Sequence, residues 1–446
     1  MKRSAWRYLW SAQDIRRKLL ITLAILAIYR LASHVPVPGA DREVIARILQ
    51  GGGAGGTLLG IMDLLSGGTV SNFSVLAMGV YPYITAQIIL QLLVPIIPAL
   101  QKRMQEDPRE GQKFMEKWTY LLAVPMAALQ AIGQINLFSA FAGGVPVIQN
   151  FGFSGPNLIP SLAILLSMTA GTMFAIWLGE LISEYGIRNQ GLSLIIFAGI
   201  VARVPANVGT LMADQENRWF LLAILLVITV LIIFAIVFVQ QGRRHVPVMY
   251  PGRRVGNRMS MPVKGTLPLM VNMAGMIPLI FAQSLLTFPA ILASFFLASS
   301  VGWVASIATG VQNLFDPNGA FYSISYFLMV VAFTFFYTNV LFTQQNYGEN
   351  LKRVGAQIPG VSRGAPTQKY LTRVLSRITL PGALFLGLVA ILPWILGLLL
   401  PLGPSGSLLL VSSAGLLIVV GVVRDTFFNI EAELKLHGYE DSLLVR

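Results

Sequence analysis

Long, nearly charge-free apolar stretches dominate this chain, and they decide what it can fold into. A helix that crosses a bilayer needs roughly 20 mainly apolar residues. Such stretches cover 19–33, 73–97, 118–138, 158–180, 191–205, 219–239, 267–287, 322–345, 379–399 and 407–423, the fifth being the shortest. Only 11% of the 446 residues are charged, against about 25% in soluble globular chains. With so few charges the chain could not cover a water-facing surface of its size. The expectation is an all-α integral membrane protein with ten transmembrane helices. The first stretch leads into His34-Val35-Pro36-Val37-Pro38 with no small-residue cleavage site, so it reads as a span and not as a cleavable signal.

Charge placement orients the spans. All but five of the 32 Lys and Arg residues lie before Leu19, in 98–117, 181–190, 240–266 and 346–378, or after Val423. The exceptions are Arg42, Arg47 and Arg218 in the opposite connections and Arg30 and Arg203 near span ends. The positive-inside rule then puts both termini in the cytoplasm. One missed helix would scramble this alternation. The net charge of +13 is therefore a topology signal first. The basic loops lack the aromatic or groove-reading context of nucleic-acid readout.

The spans hold almost no ionisable groups: Arg30, Glu180 and Arg203 stand near helix ends, where they can snorkel or cap. Proton-coupled pumps and transporters usually carry such groups at mid-membrane. With no cysteine, disulfides, thiolate metal sites and cysteine nucleophiles are excluded. His34, His245 and His437 are scattered, and neither a P-loop nor a catalytic carboxylate pair is present. No cofactor is expected, and an enzyme is the weakest reading.

An internal repeat organises the chain. Gly79-Val80-Tyr81-Pro82-Tyr83-Ile84-Thr85-Ala86-Gln87-Ile88-Ile89-Leu90 overlays Gly275-Met276-Ile277-Pro278-Leu279-Ile280-Phe281-Ala282-Gln283-Ser284-Leu285-Leu286 as G-x-x-P-x-I-x-A-Q-x-x-L. The copies fall on spans two and seven, which run in opposite directions. That arrangement suggests two inverted five-helix halves, 19–205 and 206–423, with function where they meet. Each proline removes a backbone donor and is expected to bend its helix, making a movable seam. The other reading is two similar kinked helices with structural roles only.

Before span two, Gly51-Gly52-Gly53-Ala54-Gly55-Gly56 formally matches a dinucleotide fingerprint, but no strand precedes it. It leads into a short apolar helix carrying Leu58, Ile61, Met62, Leu64 and Leu65, followed by Ser66-Gly67-Gly68. The segment is too short to span. It is either a re-entrant or plugging element or an interfacial helix.

These residues resemble the SecY family. Leu65-Ser66-Gly67-Gly68 followed by Ala77-Met78-Gly79-Val80-Tyr81-Pro82-Tyr83-Ile84 is similar to its plug and second helix. Gly171-Thr172-Met173-Phe174 with Trp177-Leu178-Gly179-Glu180 is similar to its fourth helix, and Phe197-Ala198-Gly199-Ile200-Val201 to its fifth. Val271-Asn272-Met273-Ala274-Gly275-Met276-Ile277-Pro278 resembles its seventh and Phe335-Phe336-Tyr337-Thr338 its eighth. The ordered set runs from about residue 15 to 425.

The resemblance implies a protein-conducting channel of the bacterial plasma (inner) membrane, with a central pore and a plug at about 57–68. Secreted chains would cross it, and hydrophobic segments would leave it sideways between helices two and seven. By the same resemblance the pore ring is Val80, Ile84, Leu192, Ile196, Ile280 and Ile418, and the polar lateral gate is Thr85, Gln130 and Asn272. Docking of the motor ATPase SecA or the ribosome falls to Arg243, Arg244, Arg253, Arg254, Arg258 and Lys264 in loop 240–266, and to Lys352, Arg353 and Arg363 in loop 346–378. Further implied partners are the small membrane subunits SecE and SecG, signal peptides, nascent chains and the lipid bilayer. Residues 1–18 and 424–446 would be cytoplasmic.

Three departures stand out. Ser362 follows Pro359-Gly360-Val361 where the family commonly has arginine, with Arg363 next; Met270 replaces a usual lysine; and the turn 186–191 is one residue longer. The alternative function is a small-solute secondary transporter with inverted repeats, which requires a compact polar site at mid-membrane.

Overall fold

A computed structural model describes residues 13–41, 44, 69–70, 73–94, 96–106, 108–141, 147–148, 151–152, 155–188, 190–212, 218–251, 254–255, 258–259, 263–294, 296, 302–315, 319–399 and 412–436. The described residues are mostly helical. Helices α1 (Gln13–Ala32), α2 (Tyr81–Leu93), α3 (Pro98–Glu106), α4 (Pro108–Phe141), α5 (Leu158–Tyr185), α6 (Gly191–Met212) and α7 (Arg218–Gln241) come first. Strands β1 (Arg243–Tyr250), β2 (Arg254–Val255), β3 (Arg258–Met259) and β4 (Val263–Met270) follow. Then come α8 (Ile277–Ser294), α9 (Gly302–Leu314), α10 (Ala320–Gln345), α11 (Tyr347–Arg353), α12 (Ala365–Leu399) and α13 (Ser412–Leu436).

By length and composition, four helices among the described residues can cross a membrane: Arg109–Ser139, Gly155–Tyr185, Ala320–Arg353 and Ala365–Leu396. A fifth forms if Tyr81–Leu93 and Pro98–Met104, bent by 95° at their junction, count as one. Gly191–Ala202, Leu226–Gln241 and Ile277–Ala290 are shorter apolar helices.

Two compact units emerge. One contains Met1–Leu225, Ser284–Ser323 and Pro393–Arg446; the other contains Leu226–Gln283 and Ile324–Leu392. In the first, α2 packs on α4, α4 on α5, and α5 on α6; α1 lies against α5 and α6, and α13 against α6. Its core gathers Val37, Phe73, Ile135, Phe138, Ile148 and Met168, with Phe73 and Phe138 edge-to-face at 5.1 Å. Gly171 of the fourth-helix motif lies there because any side chain would overlap the Val75 carbonyl. Lys18 of α1 pairs with Glu433 of α13, joining the two terminal helices.

The second unit carries a feature that hydropathy hides. Strands β1 and β4 form an antiparallel ladder from Arg243↔Met270 to Tyr250↔Val263, and β2 and β3 form a separate short antiparallel pair. Alternation along β1 turns Val246 and Val248 inward, where they meet Leu269, Phe342, Ile358 and Leu371.

Span boundaries are corrected in two places, for one reason. Expected span seven began at 267, but residues up to Met270 belong to β4 and the helix starts at Ile277. Expected span two began at 73, but the helix starts at Tyr81 after a run of turns. Both copies of the repeat place glycine in the left-handed region, Gly79 at φ 51° and Gly275 at φ 64°, two residues before the helix. Each then puts proline second in the helix, Pro82 and Pro278. Proline costs nothing in a first turn, where its missing N–H would have no intrahelical acceptor. The repeat is therefore a helix-start signal, and its prolines do not bend the helices. Among the described residues, interior prolines include Pro125, Pro205 and Pro289, and Pro381 and Pro393 of α12.

Candidate functional site

The gate candidates are polar groups in apolar surroundings. Gln130 of α4 donates through Nε2 to Thr85 Oγ1 of α2 at 3.2 Å. Thr85 in turn donates to the Tyr81 carbonyl one turn back at 2.9 Å. The pair ties α2 to α4 by a contact worth about 1 kcal/mol in a membrane setting. Asn272 lies outside any helix, 2% exposed, and its Nδ2 donates to the Gly275 carbonyl at 3.0 Å. It thereby holds the left-handed turn that launches α8. The two repeat-bearing helices also meet: the Tyr81 hydroxyl reaches the Ser284 carbonyl of α8 at 3.5 Å, the long limit of a hydrogen bond.

The six ring candidates occupy helix starts and packed helix faces. Val80 is buried immediately before α2, and Ile84 is half-buried in its first turn. Leu192 and Ile196 lie in the first turns of α6, with Leu192 against Gly179 of α5. Ile418 is buried on α13, which packs against α6. Ile280 is buried in the first turn of α8. The plug candidates Leu58, Ile61, Met62, Leu64 and Leu65 lie outside the described residues.

The described docking candidates belong to one compact unit. Backbone groups of Met249 and Gln357 exchange hydrogen bonds of 2.8 and 2.9 Å, stitching loop 346–378 to the hairpin. Val246, Val248, Ala356, Ile358 and Leu371 share its core. Arg243, Arg244 and Lys264 are exposed on the ladder, Lys352 and Arg353 on α11, and Arg363 just before α12. Arg353 lies 3.7 Å from Glu349, an exposed pair one turn apart that contributes little. An open cleft of about 650 Å³ lies between α11 and the start of α12, lined by Glu349, Lys352, Gln368, Lys369 and Arg373. Arg253 is outside the described residues; Arg254 and Arg258 are on β2 and β3.

Comparison with known proteins decides the family. The SecY family model matches residues 74–427. The protein translocase subunit SecY of Streptomyces scabiei is 35% identical over 444 residues, covering 99% of each chain. That of Mycobacterium leprae is 38% identical over 439 residues, 96% of this chain and 97% of that one. The chain belongs to the SecY family. A solved protein-conducting channel has the same fold, with a TM-score of 0.62 at 16% identity, covering 96% of this chain and 95% of the other. A second, in which the SecY plug domain was studied, gives the same TM-score at 18% identity.

For a SecY-family chain, Gln134 is the residue that motif reading passed over. It lies one turn beyond Gln130 on α4, is 0% exposed, and neither of its amide atoms has a hydrogen-bond partner among the described residues. Two glutamines spaced i, i+4 in an apolar span put both on one helix face, and that spacing was the available signal. The shared body of the two basic loops had no comparable signal, because its β-ladder and bridge join residues distant in sequence.

Proposed function

We infer that this chain is the protein-conducting subunit of a protein translocase, passing unfolded polypeptides through the membrane. The observation that carries this is similarity along nearly the whole chain to translocase SecY subunits, with the fold of a protein-conducting channel. Conduction of this kind needs no catalytic group: the protein supplies an apolar constriction, a seam and a docking surface. The finer reading places ten spans in two inverted five-helix halves, a plug at 57–68 and both termini in the cytoplasm of a bacterium, the channel lying in its inner membrane. Val80, Ile84, Leu192, Ile196, Ile280 and Ile418 form the seal in this reading, and Thr85, Gln130 and Asn272 the latch. SecE and SecG are the membrane partners, and SecA or the ribosome delivers the nascent chain.

A stalled secretory chain carrying a photocrosslinker is expected to crosslink to this protein inside membranes. Solute uptake with no such crosslink would favour the transporter instead. Topology is checked separately, and the cysteine-free sequence makes it clean. Single cysteines at Ser260 and Gln368 are expected to react with an impermeant thiol reagent from the cytoplasm, and one at Ser299 from outside. A reversed label at any of the three breaks the ten-span arrangement.

Motor or ribosome docking rests on positive charge carried by one packed body. Replacing Arg253 and Arg254 together with glutamate is expected to slow driven transport at least tenfold while insertion and folding persist. Steering and pairing at a basic patch weaken steeply with ionic strength, so wild-type transport should fall with salt and the variant's should respond less. Equal transport by both across salt concentrations would leave these residues with a topological role alone.

A further inference from the structure

We propose that α9, the helix between α8 and α10, is a membrane-interface helix that lies along the bilayer surface and binds its lipid. The inference uses the outer placement of this connection from the topology above, and it can fail independently of that placement. Helix α9 has 13 residues, too few to span, and none of them is charged.

Its surface divides into three sectors. At about 100° per residue, Trp303, Ile307 and Leu314 fall within an arc of roughly 40°. They are 69%, 58% and 46% exposed. Ser306, Thr309 and Asn313 form a second exposed arc, and it is polar. Ala308, the buried residue of the helix, points away from both, with Val304 and Ala305 half-buried beside it.

A helix in water beside a protein needs two sectors, one packed and one polar. A spanning helix needs no polar sector. Three sectors fit a helix touching protein, hydrocarbon and water at once, which happens only at a bilayer boundary beside the protein. Tryptophan at the edge of the apolar arc suits that depth, since its ring is amphipathic and prefers the headgroup region. The Ser306 and Thr309 hydroxyls bond to the Gly302 and Ala305 carbonyls at 2.9 and 2.8 Å. This lowers the cost of holding them near hydrocarbon. Since α9 has no charge, the attraction is apolar and does not select anionic headgroups. Its position in the chain makes it a tether on the far end of α8, the helix carrying the second copy of the repeat.

The test uses full-length protein with its partner subunits in vesicles of phosphatidylcholine, with or without phosphatidylglycerol. A nitroxide is attached to single cysteines replacing Ile307, Thr309 or Ala308, and collision with oxygen and with a water-soluble nickel chelate is measured by power saturation. The expected result is a several-fold preference for oxygen at Ile307, the reverse at Thr309, and low access to both at Ala308, unchanged by phosphatidylglycerol. Nickel access at Ile307 equal to that at Thr309 would show a face in water. Shielding of Ile307 from both reagents would show a protein partner covering it. A preference for oxygen that appears only with phosphatidylglycerol would show electrostatic docking, and each of these outcomes overturns the proposal. Labelling of Thr309→Cys by an impermeant reagent from the cytoplasm, with oxygen preference intact at Ile307, would overturn the topology and spare the lipid contact.

Discussion

Replacing Ile84 and Ile280 together with serine is expected to raise the resting ion conductance of the reconstituted channel at least tenfold, with insertion and fold retained. A constriction of aliphatic side chains holds back ions by dewetting. Each isoleucine removed takes away roughly 1.5–3 kcal/mol of apolar transfer free energy, and a factor of ten needs only about 1.4 kcal/mol. The two residues occupy equivalent positions of the repeat, five residues beyond Gly79 and Gly275, each in the first turn of its helix. Serine at either site leaves the helix-start signal of glycine and proline untouched, so the expected loss is in sealing. Single-channel recording on correctly inserted protein reads the result. Conductance equal to wild type removes both residues from the seal.

The second large effect is arrest by a covalent clamp. Cysteines on facing turns of α2 and α8 are expected to abolish transport when oxidised and to restore it on reduction. Tyr81 and Ser284 mark a turn where the two helices meet. That contact is a single long hydrogen bond, and Gln130 to Thr85 adds one more between α2 and α4. Bonds of about 1 kcal/mol each can be outweighed by an arriving apolar helix, whereas a disulfide cannot be parted thermally. The cysteine pair must satisfy disulfide geometry, with Cα atoms about 4.4–6.8 Å apart. Transport at the wild-type rate with the bond fully formed would mean that the helices need not separate. The reduced variant serves as the control for folding.

The gate candidates show how far residue type carries and where it stops. Thr85 and Gln130 are polar residues in apolar spans, visible as exceptions, and they are indeed hydrogen-bonded to one another. Asn272 was equally visible, yet its amide holds the turn before α8, a role that depends on Gly275 being in the left-handed region. Gln134 went unremarked because no motif contains it. What distinguishes it is complete burial with no partner among the described residues, and burial is a property of neighbours.

Membrane residence and the repeat were legible in the sequence alone, because hydropathy and glycine–proline spacing are local and additive along a chain. Transfer into lipid sums over one helix at a time, so no knowledge of its neighbours is required. Tertiary structure alone decided where spans two and seven begin, that loops 240–266 and 346–378 form one body, and that α9 has three unlike faces. The β1–β4 ladder and the Met249–Gln357 bridge connect residues far apart in sequence. Those pairings form only when loop-closure entropy is offset by the shared core of Val246, Val248, Phe342, Ile358 and Leu371, and no window along the chain contains all five.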